Sequence, residues 1–205
     1  MKVAIIGAGN VGKALATSIT HAGHDVTIAA KNSRNARAAA EEIGTSAADT
    51  SAAAVVGADV VILAVPYAAG AQVADDIRDG VTGRTIIDAS NPIKPDFSGL
   101  ATDSSAAEEL QHHLPDAHVV KAFNTVFASN QADPTASAEP IDGYVAGDDG
   151  DAKREVMSLL ESMGMKPLDV GPLSSARYLE GMAYVNIGLN AQNGWSWTSA
   201  WHLER

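Results

Sequence analysis

Apolar residues along this chain fall into short unbroken runs separated by amphipathic stretches. Val3, Ile5 and Ile6 form the first run and predict a buried strand. Ala14, Leu15, Ser18 and Ile19 then recur at helical spacing, and Gly23 in HAGH suits the end of that helix. DVTIAA reads as a second strand and RNARAAAEEI as an alanine-rich helix. ADVVILAVP is a strongly apolar strand stopped at Pro66, and AAGAQVADDIRDG is a helix of weaker signal. RTIIDASNP is a further strand, ending at Asn91-Pro92. Ser105 to Leu114 fits a helix capped by Ser104, and AHVVKAFNT the strand after it. DGYVAGD is a strand, Asp151 to Met163 a helix and MKPLDVG a last strand. From Leu173 the pattern is helical, up to an aromatic tail.

Strands alternate with helices almost to the end. This predicts an α/β fold: a doubly wound, mostly parallel Rossmann sheet with a small C-terminal helical extension. VVILAV and TIIDA lack polar alternation, as strands buried on both faces do. The polar, proline-containing stretch NQADPTASAEPIDG reads as a loop. It divides a nucleotide-binding core, residues 1–140, from a C-terminal strand–helix–strand unit and helical tail, residues 141–205, packed on that core.

The first strand runs straight into Gly7, Ala8, Gly9, Asn10, Val11 and Gly12, a G-x-G-x-x-G turn that opens a helix. In that setting Gly7 permits the tight turn, Gly9 lets the backbone approach a pyrophosphate, and Gly12 lets helix and strand pack closely. The pyrophosphate then rests on the helix N-terminus. The end of the second strand selects the cofactor. NAD enzymes place an acid there for the ribose 2′-hydroxyl. Here the positions are Ala30, Lys31, Asn32 and Ser33, followed by Arg34 and Arg37. Cations and small hydrogen-bonding groups without a carboxylate suit a 2′-phosphate, so the cofactor is read as NADP(H).

In an open α/β sheet the ligand lies beyond the carboxyl ends of the strands. AVPYAAG, ASNPIKP and KAFNTVF occupy those ends. Val65 and Pro66 are placed under the nicotinamide ribose. Asn91 and Asn124 are uncharged groups for either the carboxamide or an acceptor. No acid–base pair stands out, and the six histidines lack metal-ligand spacing, so no metal is expected. Hydride transfer between two flat rings needs alignment and exclusion of water more than a general acid.

Composition narrows the class. With 25 acids against 14 bases the net charge is −11, which argues against nucleic acid as a partner. There is no cysteine, hence no disulfide and no thiol chemistry. No apolar run approaches the roughly 18 residues of a membrane span, and no signal peptide is evident. A cytoplasmic enzyme, without membrane contact, is expected. The acidic surface fits an ordinary soluble protein or a salt-adapted host.

Taken together, the chain resembles the coenzyme F420: NADP oxidoreductases, and also the cytoplasmic NADPH-binding domain of the STEAP metalloreductases. The resemblance rests on IIGAGNVGKAL, VVILAVP, DASNP, VVKAFNT and VAGDDGDAKREVMSLLESMGMKPLDVGPLSSARYLE. It implies a glycine loop at Ala8 to Val11 and 2′-phosphate contacts at Lys31, Asn32, Ser33 and Arg34. It also implies a nicotinamide pocket around Val65, Pro66, Asn91, Pro92 and Ala122. Imine and hydroxyacid reductases with a similar turn carry a longer helical domain than the residues after Gly171 provide.

All three tryptophans lie in NGWSWTSAWHLER. In a helix, Trp197 and Trp201 would share a face while Trp195 pointed elsewhere, and Asn193-Gly194 predicts a break just before them. Two readings stand for Trp195, Trp197 and Trp201: packing in a core or homodimer interface, or a platform over a flat acceptor, with Asn124 nearby. The function expected is hydride transfer between NADPH and a flat, flavin-like small molecule, foremost coenzyme F420. The alternatives are a free flavin, a ferric chelate or a small unsaturated substrate, or a redox sensor that binds NADP(H) without turnover.

Overall fold

The computed structural model describes residues 1–137 and 139–204. Among the described residues eight strands form one sheet. They are β1 (Lys2–Ile6), β2 (Asp25–Ala29), β3 (Ser46–Ala47), β4 (Val60–Leu63), β5 (Thr85–Asp88), β6 (His118–Lys121), β7 (Asp142–Gly147) and β8 (Lys166–Asp169). Their order is β3-β2-β1-β4-β5-β6-β7-β8. β3 to β6 are parallel, β7 runs antiparallel to β6, and β8 is parallel to β7. The chain winds outward from β1 to β3, then restarts at β4 on the other side of β1. That reversal opens the crevice at the carboxyl ends of β1 and β4.

The α-helices of the described residues are α1 (Asn10–His21), α2 (Ser33–Ile43), α3 (Ser51–Ala54), α4 (Gly70–Ile77), α5 (Ala106–His113), α6 (Ala128–Ala132), α7 (Gly150–Ser162) and α8 (Ala176–Asn193). They cover both faces of the sheet, so successive strand residues enter opposite cores. Val3, Ile5, Ile62, Ile87 and Val120 pack with Leu15 and Ile19 of α1 and Leu159 of α7. Ala4, Ile6, Leu63, Ile86 and Val119 pack with Ile77 of α4 and Leu110 of α5. Both sets are apolar because neither face of the sheet meets water.

Three local expectations are corrected. The short strand β3 lies in a stretch whose sequence signals no strand. α5 is capped by Ser105, not Ser104: its hydroxyl accepts from Glu108 N at 3.1 Å. It also donates to the Glu108 carboxylate at 2.8 Å, so the S-x-x-E box fixes the start one residue later. The loop NQADPTASAEPIDG begins inside α6, whose Gln131 side chain donates to the carbonyls of Phe123 and Val126; Ala138 of that stretch lies outside the described residues. The break expected at Asn193-Gly194 is present: α8 stops at Gly194 with φ 63°, and Trp197 also has a positive φ of 59°, so the tail leaves the helix axis.

Candidate active site

The turn after β1 divides its glycines by role. Gly7 has φ 126°, and its N–H donates to the Ala29 carbonyl of β2 at 2.8 Å. A Cβ on Gly7 would stand 2.7 Å from the Ala64 carbonyl carbon, and one on Gly12 would stand 2.8 Å from the Gly7 carbonyl carbon. Those two glycines are required by the protein's own packing. Gly9 differs: its backbone is extended (φ −82°, ψ −170°), and a Cβ there would meet no protein atom within 4 Å. Gly9 is the N-cap of α1 and offers no side-chain cap, and no acid stands in the first turn. The leading N–H groups of α1, with Ala8, Asn10 and Val11 around them, thus face an open cradle suited to an anion.

At the end of β2, Asn32 caps α2, its side-chain oxygen accepting from Arg34 N at 3.0 Å. Arg37 is engaged by Asp49 at 2.5 Å. Lys31 and Arg34 are exposed and make no ion pair among the described residues. Two of the three cations, with Ser33 between them at a helix N-terminus, are therefore free to meet a phosphate.

The residues expected around the nicotinamide separate into two cavities. Val65 and Pro66 line one of about 220 Å³ between α4 and α5, together with Tyr67, Asp88, Ser90 and Glu109. There the Tyr67 hydroxyl donates to Glu109 Oε2 at 2.7 Å. Burial, then this contact with Glu109, pushes the Tyr67 phenol up to about 12, so it stays protonated in neutral solution. Asn91 and Asn124 line a second cavity of about 150 Å³, with Val11 of the glycine turn, Phe123, Phe127 and Asn186. Pro92 and Ala122 are buried beside these loops.

The two asparagines interlock. Asn91 Nδ2 donates to the Asn124 carbonyl, and Asn124 Nδ2 donates to Asn91 Oδ1, both at 3.0 Å. This fixes both amide orientations and leaves Asn124 Oδ1 buried without a partner; Gln131 Oε1 is in the same condition. Two unpaired acceptors in the wall of one cavity call for donors. Phe123, in the same wall, is held at φ 65°, a conformation rare for a bulky residue.

None of the tryptophans lines this cavity, but Trp197 packs behind Phe127, which does. Its ring meets Phe127 edge-on, with centroids 5.5 Å apart at 86°. Trp201 donates its indole N–H to the Met182 carbonyl at 3.3 Å, and Trp195 follows α8 with its ring exposed. The tail is strapped across α6 by Ser129 to the Trp197 carbonyl and Asn130 to the Thr198 carbonyl.

The sequence reading missed the charged groups at this rim. Lys121 is buried between Asp88 and Glu180. One signal was available: the adjacent apolar strands TIID and HVVK end on opposite charges.

Residues 2–92 match the family model of coenzyme F420-dependent NADP oxidoreductases. The F420-dependent NADP reductase of Methanothermobacter marburgensis is 32% identical, over 94% of this chain and 94% of its own. Metalloreductase STEAP3 of Rattus norvegicus is 32% identical over 87% of this chain and 36% of its own. A solved structure of a candidate F420-dependent NADP reductase from Arthrobacter sp. FB24 superposes with a TM-score of 0.90 at 27% identity, covering both chains completely. No helix among the described residues is long and apolar enough to cross a membrane. The chain belongs to the F420-dependent NADP reductase family and is an NADP-dependent oxidoreductase.

Proposed function

We propose that this enzyme transfers a hydride between NADPH and coenzyme F420, with NADPH laid across the carboxyl ends of β1, β2 and β4. The observation that carries the cofactor assignment is the acid-free end of β2, where Lys31 and Arg34 stand exposed and unpaired. The N-terminus of α1, cleared at Gly9, would hold the pyrophosphate. The nicotinamide end would face Asn91 and Asn124, whose unpaired Oδ1 suits the carboxamide N–H. When bound, the dinucleotide supplies the hydride. The chain's own part is to bind, to orient and to keep water out, the last falling to Phe123, Phe127 and Trp197. Residues 1–140 would then carry the nucleotide and residues 141–205 complete the acceptor side, in a homodimer or otherwise.

Affinity measurements test the cofactor assignment. Replacing Lys31 or Arg34 by Ala removes a charged contact and is expected to cost NADPH about 1.5–3 kcal/mol while leaving NADH nearly unchanged. Equal losses for both would contradict it. For the acceptor, NADPH oxidation is followed at the nicotinamide absorbance with coenzyme F420, flavin mononucleotide and a ferric chelate in turn. Turnover with F420 supports the proposal. The likeness to a metalloreductase favours a ferric or flavin acceptor as the second reading, and exclusive turnover with either would replace the first. Tight binding without any oxidation would favour a sensor.

A further inference from the structure

The C-terminal rim of the sheet holds a buried charge cluster that this chemistry does not use. Asp88 ends β5 and Lys121 ends β6, and they are partners in the register of these parallel strands. Lys121 and Glu180 of α8 are 0% exposed and Asp88 is 3% exposed. The Lys121 ammonium donates to Asp88 Oδ2 at 2.8 Å, to Glu180 Oε1 at 2.7 Å and to the Ser90 carbonyl at 2.7 Å. All three of its protons are thereby used. Asp88 Oδ1 accepts from Ser90 N at 2.9 Å, and Glu180 Oε1 also accepts from Ala106 N, the first residue of α5, at 2.9 Å.

Such a cluster is a poor device for stability alone, because an apolar side chain of the same volume avoids the desolvation cost of burying charge. Its bonds are directed. Both the N–H and the carbonyl of Ser90 end on it, and Ser90 precedes the Asn91 that locks to Asn124. Glu180 further ties α8 and the start of α5 to the same point. The loop after β5 is therefore gripped at Ser90 by Asp88 of β5 and Lys121 of β6, with Glu180 of α8 bracing the ammonium.

We infer that Lys121 is a positioning residue: with Asp88 and Glu180 it fixes the Ser90–Asn91–Pro92 segment and so sets the wall that meets the nicotinamide ring. The last step rests on the placement of the nicotinamide end at Asn91 and Asn124.

The test is the neutral triple variant Asp88→Asn, Lys121→Met, Glu180→Gln in the full chain. Asn and Gln keep acceptor oxygens for Ser90 N and Ala106 N, and Met matches the unbranched length of Lys, so the ammonium bonds are lost while both backbone N–H groups keep an acceptor. Amide hydrogen exchange is read over residues 89–91. Affinity is read for NADPH and for 2′-phospho-ADP-ribose, which lacks the nicotinamide. Exchange at 89–91 is expected to rise about tenfold, and NADPH to bind about tenfold more weakly with 2′-phospho-ADP-ribose within about twofold of wild type. Unchanged exchange in the folded variant overturns the positioning role. Faster exchange with no selective loss of NADPH supports the grip on the loop and overturns the nicotinamide placement instead. Should the triple variant not fold, wild-type exchange decides: the Ser90 amide is expected to be as protected as those of β5, and exchange at the rate of an open loop overturns the inference.

Discussion

Gly9 and Gly12 are one motif in the sequence and two different constraints in the molecule. Gly12 has the Gly7 carbonyl where a Cβ would go, while Gly9 has nothing within 4 Å. Gly12→Ala is expected to destabilise the fold by about 1–3 kcal/mol through overpacking. Gly9→Ala sits at an extended φ and is expected to leave the thermal midpoint unchanged while NADPH affinity falls about tenfold or more, since a methyl group then stands over the phosphate cradle. Thermal unfolding and cofactor titration of the two variants separate these effects. Equal destabilisation would show that Gly9 also serves packing. The glycines and Lys31 were legible because their chemistry depends on neighbours in sequence. Lys121, Asp88 and Glu180 were not, because the cluster is assembled from β5, β6 and α8, and a lone charge at the end of an apolar run looks like a strand terminus.

Among the elements, the tail shows a glycine break overriding helical spacing. Trp197 and Trp201 stand four apart, as on a helix, yet Gly194 and Trp197 at positive φ turn the chain back over α6. A rim contact of this kind suits a cover for the cavity beside Phe127. Deleting residues 194–205 is expected to abolish turnover with coenzyme F420 and leave NADPH binding within about twofold, because the phosphate contacts lie at the far end of the crevice. Normal turnover after the deletion would remove the tail from the acceptor side. Helix α7 gives a pH test. Asp149 caps it by accepting from Ala152 N at 2.8 Å, and this backbone bond holds the carboxyl below its ordinary value of 3.8. A carboxylate lowered in the folded state contributes stability fully above its unfolded value and loses it as pH falls through the folded value. Asp149→Asn keeps a capping oxygen but not the titration. It is expected to lose less stability than wild type as pH falls below 3.8, as read from thermal midpoints; parallel losses would show that Asp149 does not contribute.

At the scale of the whole molecule, the alternation of strands and helices revealed the doubly wound sheet, because period and apolarity are local. The direction of β7 was not legible: DGYVAG pairs equally well either way, and its antiparallel sense depends on where the chain emerges after α6. Net charge is a property of the same scale, with 25 acids against 14 bases. Several bases are already paired on the surface, Lys13 with Glu42, Arg37 with Asp49, Arg78 with Asp75 and Arg154 with Asp151. Exposed pairs of this kind contribute at most about 1 kcal/mol each and weaken in salt. The unmatched acids repel one another across the whole surface, and this repulsion is screened once the Debye length drops below about 10 Å, near 0.1 M salt. The two effects have opposite signs, and the excess of acids decides between them. Sodium chloride is therefore expected to raise the thermal midpoint steadily from low salt to well above that concentration. A midpoint that falls with salt would mean that the local pairs outweigh the field of the net charge.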